Sequence, residues 1–189
     1  MEAFEAILGR VTTPPAKMGD PGPDDAALRR MAEAAAAAPD HGKLEPFRFI
    51  AVRGAGRERL GGLFAEAAKL ELDHPSEAEV RKQAEAPLRA PLLLVAVARL
   101  RPDHPKIPPG EQRQSAACAV QNLLLAAHAL GFAAKWATGF PAASPHVKAG
   151  LGLGPHEEVA AIVYLGTAKA RQTPPPRPAP DAILAEWPG

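Results

Sequence analysis

Cysteine is nearly absent: the 189 residues contain one, Cys118. A lone thiol excludes a disulfide framework and fits a small core residue in a reducing compartment. Serine is scarce, at positions 76, 115 and 144, and no GxSxG stretch occurs, which argues against serine-hydrolase chemistry. The six histidines show neither HExxH nor paired ligand spacing, so no metal site is expected. Charge of one sign is also missing. The 22 basic and 21 acidic residues are scattered and leave a net charge of +1, with no basic stripe for nucleic acid and no polybasic membrane anchor. The opening MEAFEAILGR is acidic and has no long apolar run, so no signal peptide is visible and the cytoplasm is the expected compartment.

What the chain does have is one long uninterrupted stretch, Glu111 to Gly139. From Glu111 to Leu130 it lacks proline and glycine and consists mostly of strong helix formers. Such a helix would run roughly 30 Å. Ala116, Cys118, Val120, Leu123, Leu124, Leu125, Ala127 and Leu130 leave little polar face, which predicts a helix buried all round. Gln114 to Ala134 carries no charge and so raises a membrane span. Gln121, Asn122 and His128 in its middle, and the absence of a second such segment, favour a soluble core helix. Gly131 stops it, Phe132 to Trp136 reads as a strand, and Thr138-Gly139 as the strand's exit, a plausible edge for a planar ligand.

The remaining elements fall around this stretch. Glu2 to Gly9 reads as a helix with Phe4, Ile7 and Leu8 inward, and Arg10 to Pro23 as an ordered loop. Asp24 or Asp25 caps a helix reaching Ala38, with Leu28, Met31, Ala32 and Ala35 inside. Phe47 to Val52 is a strand. Arg57 to Leu72 is a helix with Leu60, Leu63, Phe64, Ala67 and Leu70 on its inner stripe. Ser76 and Glu79 form a capping box. Leu92 to Val97 and Val159 to Leu165 are central strands, and Ser144-Pro145 starts a short helix. The proline-rich TPPPRPAPDAILAEWPG cannot form helix or inner strand, and its Ile183, Leu184 and Trp187 want a surface to cover them. Gly54-Ala55-Gly56 lacks the third glycine of a dinucleotide fingerprint, since Arg59 stands there, and reads as a plain strand-turn-helix. Helices interspersed with four or five strands predict one α+β or three-layer α/β domain over residues 1–189.

Five stretches in order resemble one family. They are Ile7 to Thr12, Ala38-Pro39-Asp40-His41 with Glu45-Pro46-Phe47, Gly54 to Leu60, Lys106 to Gly139, and Tyr164 to Thr167. Together they resemble the short single-domain NAD(P)H nitroreductases of bacteria, the YdjA-like subgroup of the flavin-dependent nitroreductase family. The resemblance implies an α+β fold of three layers, α/β/α, with a central mixed sheet, a homodimer with FMN at the subunit interface, NAD(P)H as co-substrate, and a small-molecule acceptor such as a nitroaromatic or quinone. Carried over by position, Arg10 would grip the FMN phosphate and Thr12 would hydrogen-bond the flavin or ribityl side. Pro39, Asp40 and His41 would come from the partner chain. Trp136, Ala137, Thr138 and Gly139 would border the ring near N5. No side chain is implied as a catalytic acid or base. Val11 and Ala37, also at cofactor positions, stand where the family carries arginine; Lys17, Lys43 or Arg171 are the candidates to replace that charge. The tail over 168–189 would pack on the partner. Other implied readings are another flavin chemistry, such as reductive dehalogenation, or a flavin-binding dimer without turnover.

Overall fold

The computed structural model describes residues 2–188. In chain order the elements are helix α1 (Ala3–Gly9), strand β1 (Met18–Gly19), helix α2 (Asp25–Ala36), strand β2 (Phe47–Arg53), helix α3 (Ala55–Glu71), helix α4 (Glu77–Glu85), strand β3 (Leu92–Arg99), helix α5 (Pro109–Ala129), strand β4 (Ala133–Ala137), helices α6 (Gly139–Ala143) and α7 (Pro145–Gly150), and strand β5 (Glu157–Ala168). β5 is the hub of the sheet. It pairs with β3 along one edge, with β4 along the other over Ile162–Gly166, and with β1 at Thr167 and Ala168. β2 completes the order on the far side of β3. These ladders are antiparallel, and the parallel component is one bridge between Thr12 and Ala134.

The sheet divides two cores by the strand period of two. Leu92, Leu94 and Ala96 of β3 face Met31, Val120, Leu123 and Leu124 of α2 and α5. Leu93, Val95 and Val97 face Leu60, Phe64 and Val147 of α3 and α7. With both faces covered, β3 is buried from Leu92 to Ala98, which explains its uninterrupted apolar run. Each fully buried Leu or Phe contributes about 1.5–3 kcal/mol. Chain ends of the helices follow local chemistry. Asp24 accepts the Ala27 amide at 2.8 Å, and Ser76 and Glu79 form the expected reciprocal cap. α5 ends in a Schellman motif: Gly131, at φ +86, donates to His128, and Phe132 donates to Ala127, which turns the chain straight into β4.

Four expectations are corrected. Phe4, Ile7 and Leu8 are not inward: Phe4 is 78% exposed and only Ala6 of α1 is buried. Cys118 is exposed, because α5 buries one face, Gln112, Ser115, Ala116, Ala119, Val120, Leu123, Leu124 and Ala127, and not its whole circumference. Leu70 of α3 and Ala32 of α2 are exposed, each one step off the buried stripe of its helix. The Arg10–Pro23 loop contains the two-residue strand β1, too short to carry an alternating pattern. Among the described residues no helix is long and apolar enough to cross a membrane.

Candidate functional site

Arg10 leaves α1 in extended conformation, and the next residues run beside β4. Thr12 bridges Ala134, and the Thr13 amide donates to the Ala134 carbonyl at 3.0 Å. This register puts Arg10 and Val11 at the mouth of a cavity of about 660 Å³, with Leu124 and His128 of α5, the Gly131–Ala134 turn, and Arg171 to Pro174 of the tail. Gly9 lets α1 come close: a Cβ there would stand 3.2 Å from His128 Nε2. Further along the tail, Arg177 Nη2 donates to the Arg10 carbonyl at 3.0 Å.

One polar group here is unfinished. The Nε of Arg10 is buried and has no hydrogen-bond partner. Buried guanidinium nitrogens are normally paired, because an unpaired one costs about 1–3 kcal/mol or more. A phosphate oxygen would complete it in the fork geometry that arginine offers. Of the three substitute cations, Arg171 lines this cavity while Lys17 and Lys43 do not. Val11 lines it too, without adding a charge.

The remaining anticipated residues form two other groups. Trp136 and Ala137 are half-buried at the end of β4, and Thr138 and Gly139 are exposed at the start of α6. Thr138 lies four residues beyond Ala134, about 13 Å along the strand. The amides of Gly139 and Phe140, the first of α6, have no intrahelical acceptor. Ala37, Pro39, Asp40 and His41 lie elsewhere, at the opposite end of α5. His41 Nδ1 sits 2.7 Å from Glu111 Oε2, and Asp40 accepts the Glu45 amide at 2.7 Å. Glu111 and His128 are seventeen residues apart on one helix, about 26 Å. A single chain therefore does not bring His41 and Arg10 around one ligand.

Residues 18–167 match the Nitroreductase family. The chain belongs to the nitroreductase family. It is 32% identical over 171 residues to a protein of Escherichia coli (strain K12) provisionally named NAD(P)H nitroreductase YdjA, covering 90% of this chain and 91% of that one. A Haemophilus influenzae protein, also provisionally named as an NAD(P)H nitroreductase, is 36% identical over 80% of this chain and 81% of its own. The fold matches the crystal structure of a nitroreductase-like family protein from Bacillus cereus at TM-score 0.84, with 19% identity, over 100% of this chain and 97% of that chain. It also matches a protein from Desulfovibrio desulfuricans, provisionally named a nitroreductase and crystallised in complex with FMN, at TM-score 0.73 and 22% identity over 98% and 96% of the two chains.

In this nitroreductase-family chain the cavity contains residues that sequence reasoning did not single out. His128, Phe132, Gln172 and Thr173 line it. A histidine in the last turn before a helix-stopping glycine is a usable signal, since the turn exposes that side chain beside the following strand. No group of three His, Cys, Asp or Glu side chains suited to a metal comes together among the described residues. The start of β5 is pinned electrostatically. Arg48 makes a two-pronged pair with Glu157, at 2.6 and 2.9 Å, and Arg113 of α5 does the same with Glu158, at 2.8 and 2.7 Å. The Arg48 hydrogen bonds hold the Glu157 carboxyl down at about 2, and those from Arg113 lower Glu158 in the same way.

Proposed function

We propose that the protein is a homodimeric, cytoplasmic FMN-dependent oxidoreductase that passes hydride from NAD(P)H to a nitroaromatic, quinone or similar acceptor. The observation that carries this reading is the partnerless Arg10 Nε at a cavity that Arg171 also lines. These residues fit the phosphate of FMN, with Arg177 positioned to steady Arg10 through its carbonyl. Thr12 would hydrogen-bond the flavin or its ribityl side. β4 leads from there to Trp136, Ala137, Thr138 and Gly139, where the first α6 amides suit a ring nitrogen. FMN supplies the hydride-carrying chemistry; the chain binds it, orients it and shields it from water.

The dimer is part of the same reading. The 26 Å between the His41 and Arg10 groups disappears if Ala37 to His41 of one chain meet the flavin held by its partner. Surfaces to cover are available: Phe4, Ile7 and Leu8 of α1, the Cys118 face of α5, and tail residues Ile183, Leu184 and Trp187, which are 75%, 74% and 89% exposed. Burying the tail over 168–189 on the partner would contribute several kcal/mol at about 25 cal/mol per Å². The protein is accordingly a single domain with an embracing tail.

The purified protein should be yellow, lose that colour on adding NAD(P)H, and scatter light as a dimer. A colourless monomer that FMN does not stabilise against heat overturns the reading. Deleting residues 174–189 should weaken dimer and flavin binding together, because the two are linked. A truncated chain that remains dimeric with full flavin removes the tail from the interface.

A further inference from the structure

A second cavity of about 460 Å³ lies beside β1, bordered by Gly19, Asp20, Arg57, Arg89, Ala90 and Lys169 among others. Three cations meet one carboxylate there. Among the described residues none of the three cations is in an ion pair. Arg57 is held from behind: Nη1 donates to the Ala90 carbonyl at 2.8 Å, while its buried Nε has no partner. Among the described residues Arg57 and Arg10 are the two side chains with this defect; Arg171 shares the Arg10 cavity, and Arg89 and Lys169 share this one.

The walls are already in place. Met18 and Gly19 pair with Ala168 and Thr167, and the Lys169 amide donates to Lys17 at 2.9 Å. Lys169 Nζ donates to the Ala16 carbonyl at 3.1 Å, which brings the ammonium over the loop. The packing beneath is tight enough that a Cβ on Gly166 would meet Pro91 at 2.8 Å and the Gly19 carbonyl at 3.0 Å. A ligand would therefore find a rigid concavity with little ordering cost. The two cavities share no lining residue, and neighbours in the chain turn to opposite sides: Ala168 borders the Arg10 cavity and Lys169 this one.

We propose that this cavity is a second anion site that takes a dianionic phosphate, either as the free ion or as the monoester of a nucleotide. Two guanidiniums and an ammonium match three phosphate oxygens in charge and donors, and they outnumber the one carboxylate, Asp20. A free phosphate and a 2′-phosphorylated nucleotide present the same group; the nucleotide source alone rests on the redox reading above.

Calorimetric titration of the full-length, flavin-loaded protein with inorganic phosphate and with 2′-AMP tests the site. Both probes should bind, competing with each other. Arg89→Ala and Lys169→Ala, changes to exposed side chains outside the Arg10 cavity, should each weaken binding about tenfold with flavin content unchanged. Equal affinities for the two probes assign the site to free phosphate. Tighter 2′-AMP, with KM for NADPH raised in both variants and KM for NADH unmoved, assigns it to a nucleotide. No heat with either probe, or wild-type affinity in both variants, overturns the site. Because binding is read directly, a chain that takes phosphate here but holds no flavin defeats the redox reading and leaves this one standing.

Discussion

The two ends of α5 are built on opposite principles. At its start three polar side chains are answered in turn. Gln112, buried, donates through Nε2 to the carbonyls of Arg101 and Ile107 at 3.0 and 2.8 Å and accepts the Arg101 amide at 2.7 Å. Arg113 is clasped to Glu158, and Glu111 to His41. At its finish the backbone is equally tidy, through the Gly131 turn, but Arg10 Nε is left open beside a cavity. A closed network spends its donors on holding the fold, and an open one keeps a donor for something that arrives later. The contrast sets a closed network at one end of α5 against an unpaired group of the neighbouring segment at the other.

The largest effect expected of that contrast is at the closed end. Gln112→Leu strands two carbonyls and one amide in a buried place, and should cost about 3 kcal/mol in urea unfolding. A loss below about 1 kcal/mol would show that the network is not closed after all. The open end should respond in the reverse sense. Arg10→Ala should leave the unfolding midpoint of the flavin-free protein unchanged and weaken FMN binding roughly ten- to a hundredfold. Unaltered affinity in a fluorescence titration would place the phosphate elsewhere. The smallest effect concerns the clasps near the closed end. The folded pKa of Glu157 is depressed to about 2, so its pair with Arg48 contributes fully above the unfolded carboxyl value near 4.5 and is lost as pH falls from there through about 2. After screening at this rim position the amount is on the order of 1–2 kcal/mol. Arg48→Leu should flatten that part of the stability–pH curve, and an unchanged acid slope would assign it to other carboxylates.

The legible parts of the fold were those whose cause is local. Ser76 with Glu79 and Asp24 with Ala27 are caps made within three residues, and the seven buried residues of β3 announce a doubly covered strand. The illegible parts depend on what lies opposite. α1 has an apolar face, but nothing in its seven residues says whether the chain itself covers it, and it does not. A helix as apolar as α5 has no period to reveal that Cys118 points outward. β1 exists only because Ala168 and Thr167 are there to pair with it. For the candidate site, a family resemblance pointed to Arg10, and the structure puts it at a cavity with its Nε unanswered. The cavities at His128 and Arg57 could not be read from the stretches that contain those residues, since their settings are assembled from the tail, the α5 turn and the loop before β1.

The central position of β5 also sets the order in which the chain can fold. Its partners β1, β3 and β4 are all synthesised before it, and the pairing of Met18 with Ala168 spans 150 residues. Until β5 is available, β3 has only β2 beside it, and β4 has no ladder at all. Contacts of such long range carry the entropy of closing large loops before they return any stability. The sheet therefore assembles late and all together, around the strand that leaves the ribosome last.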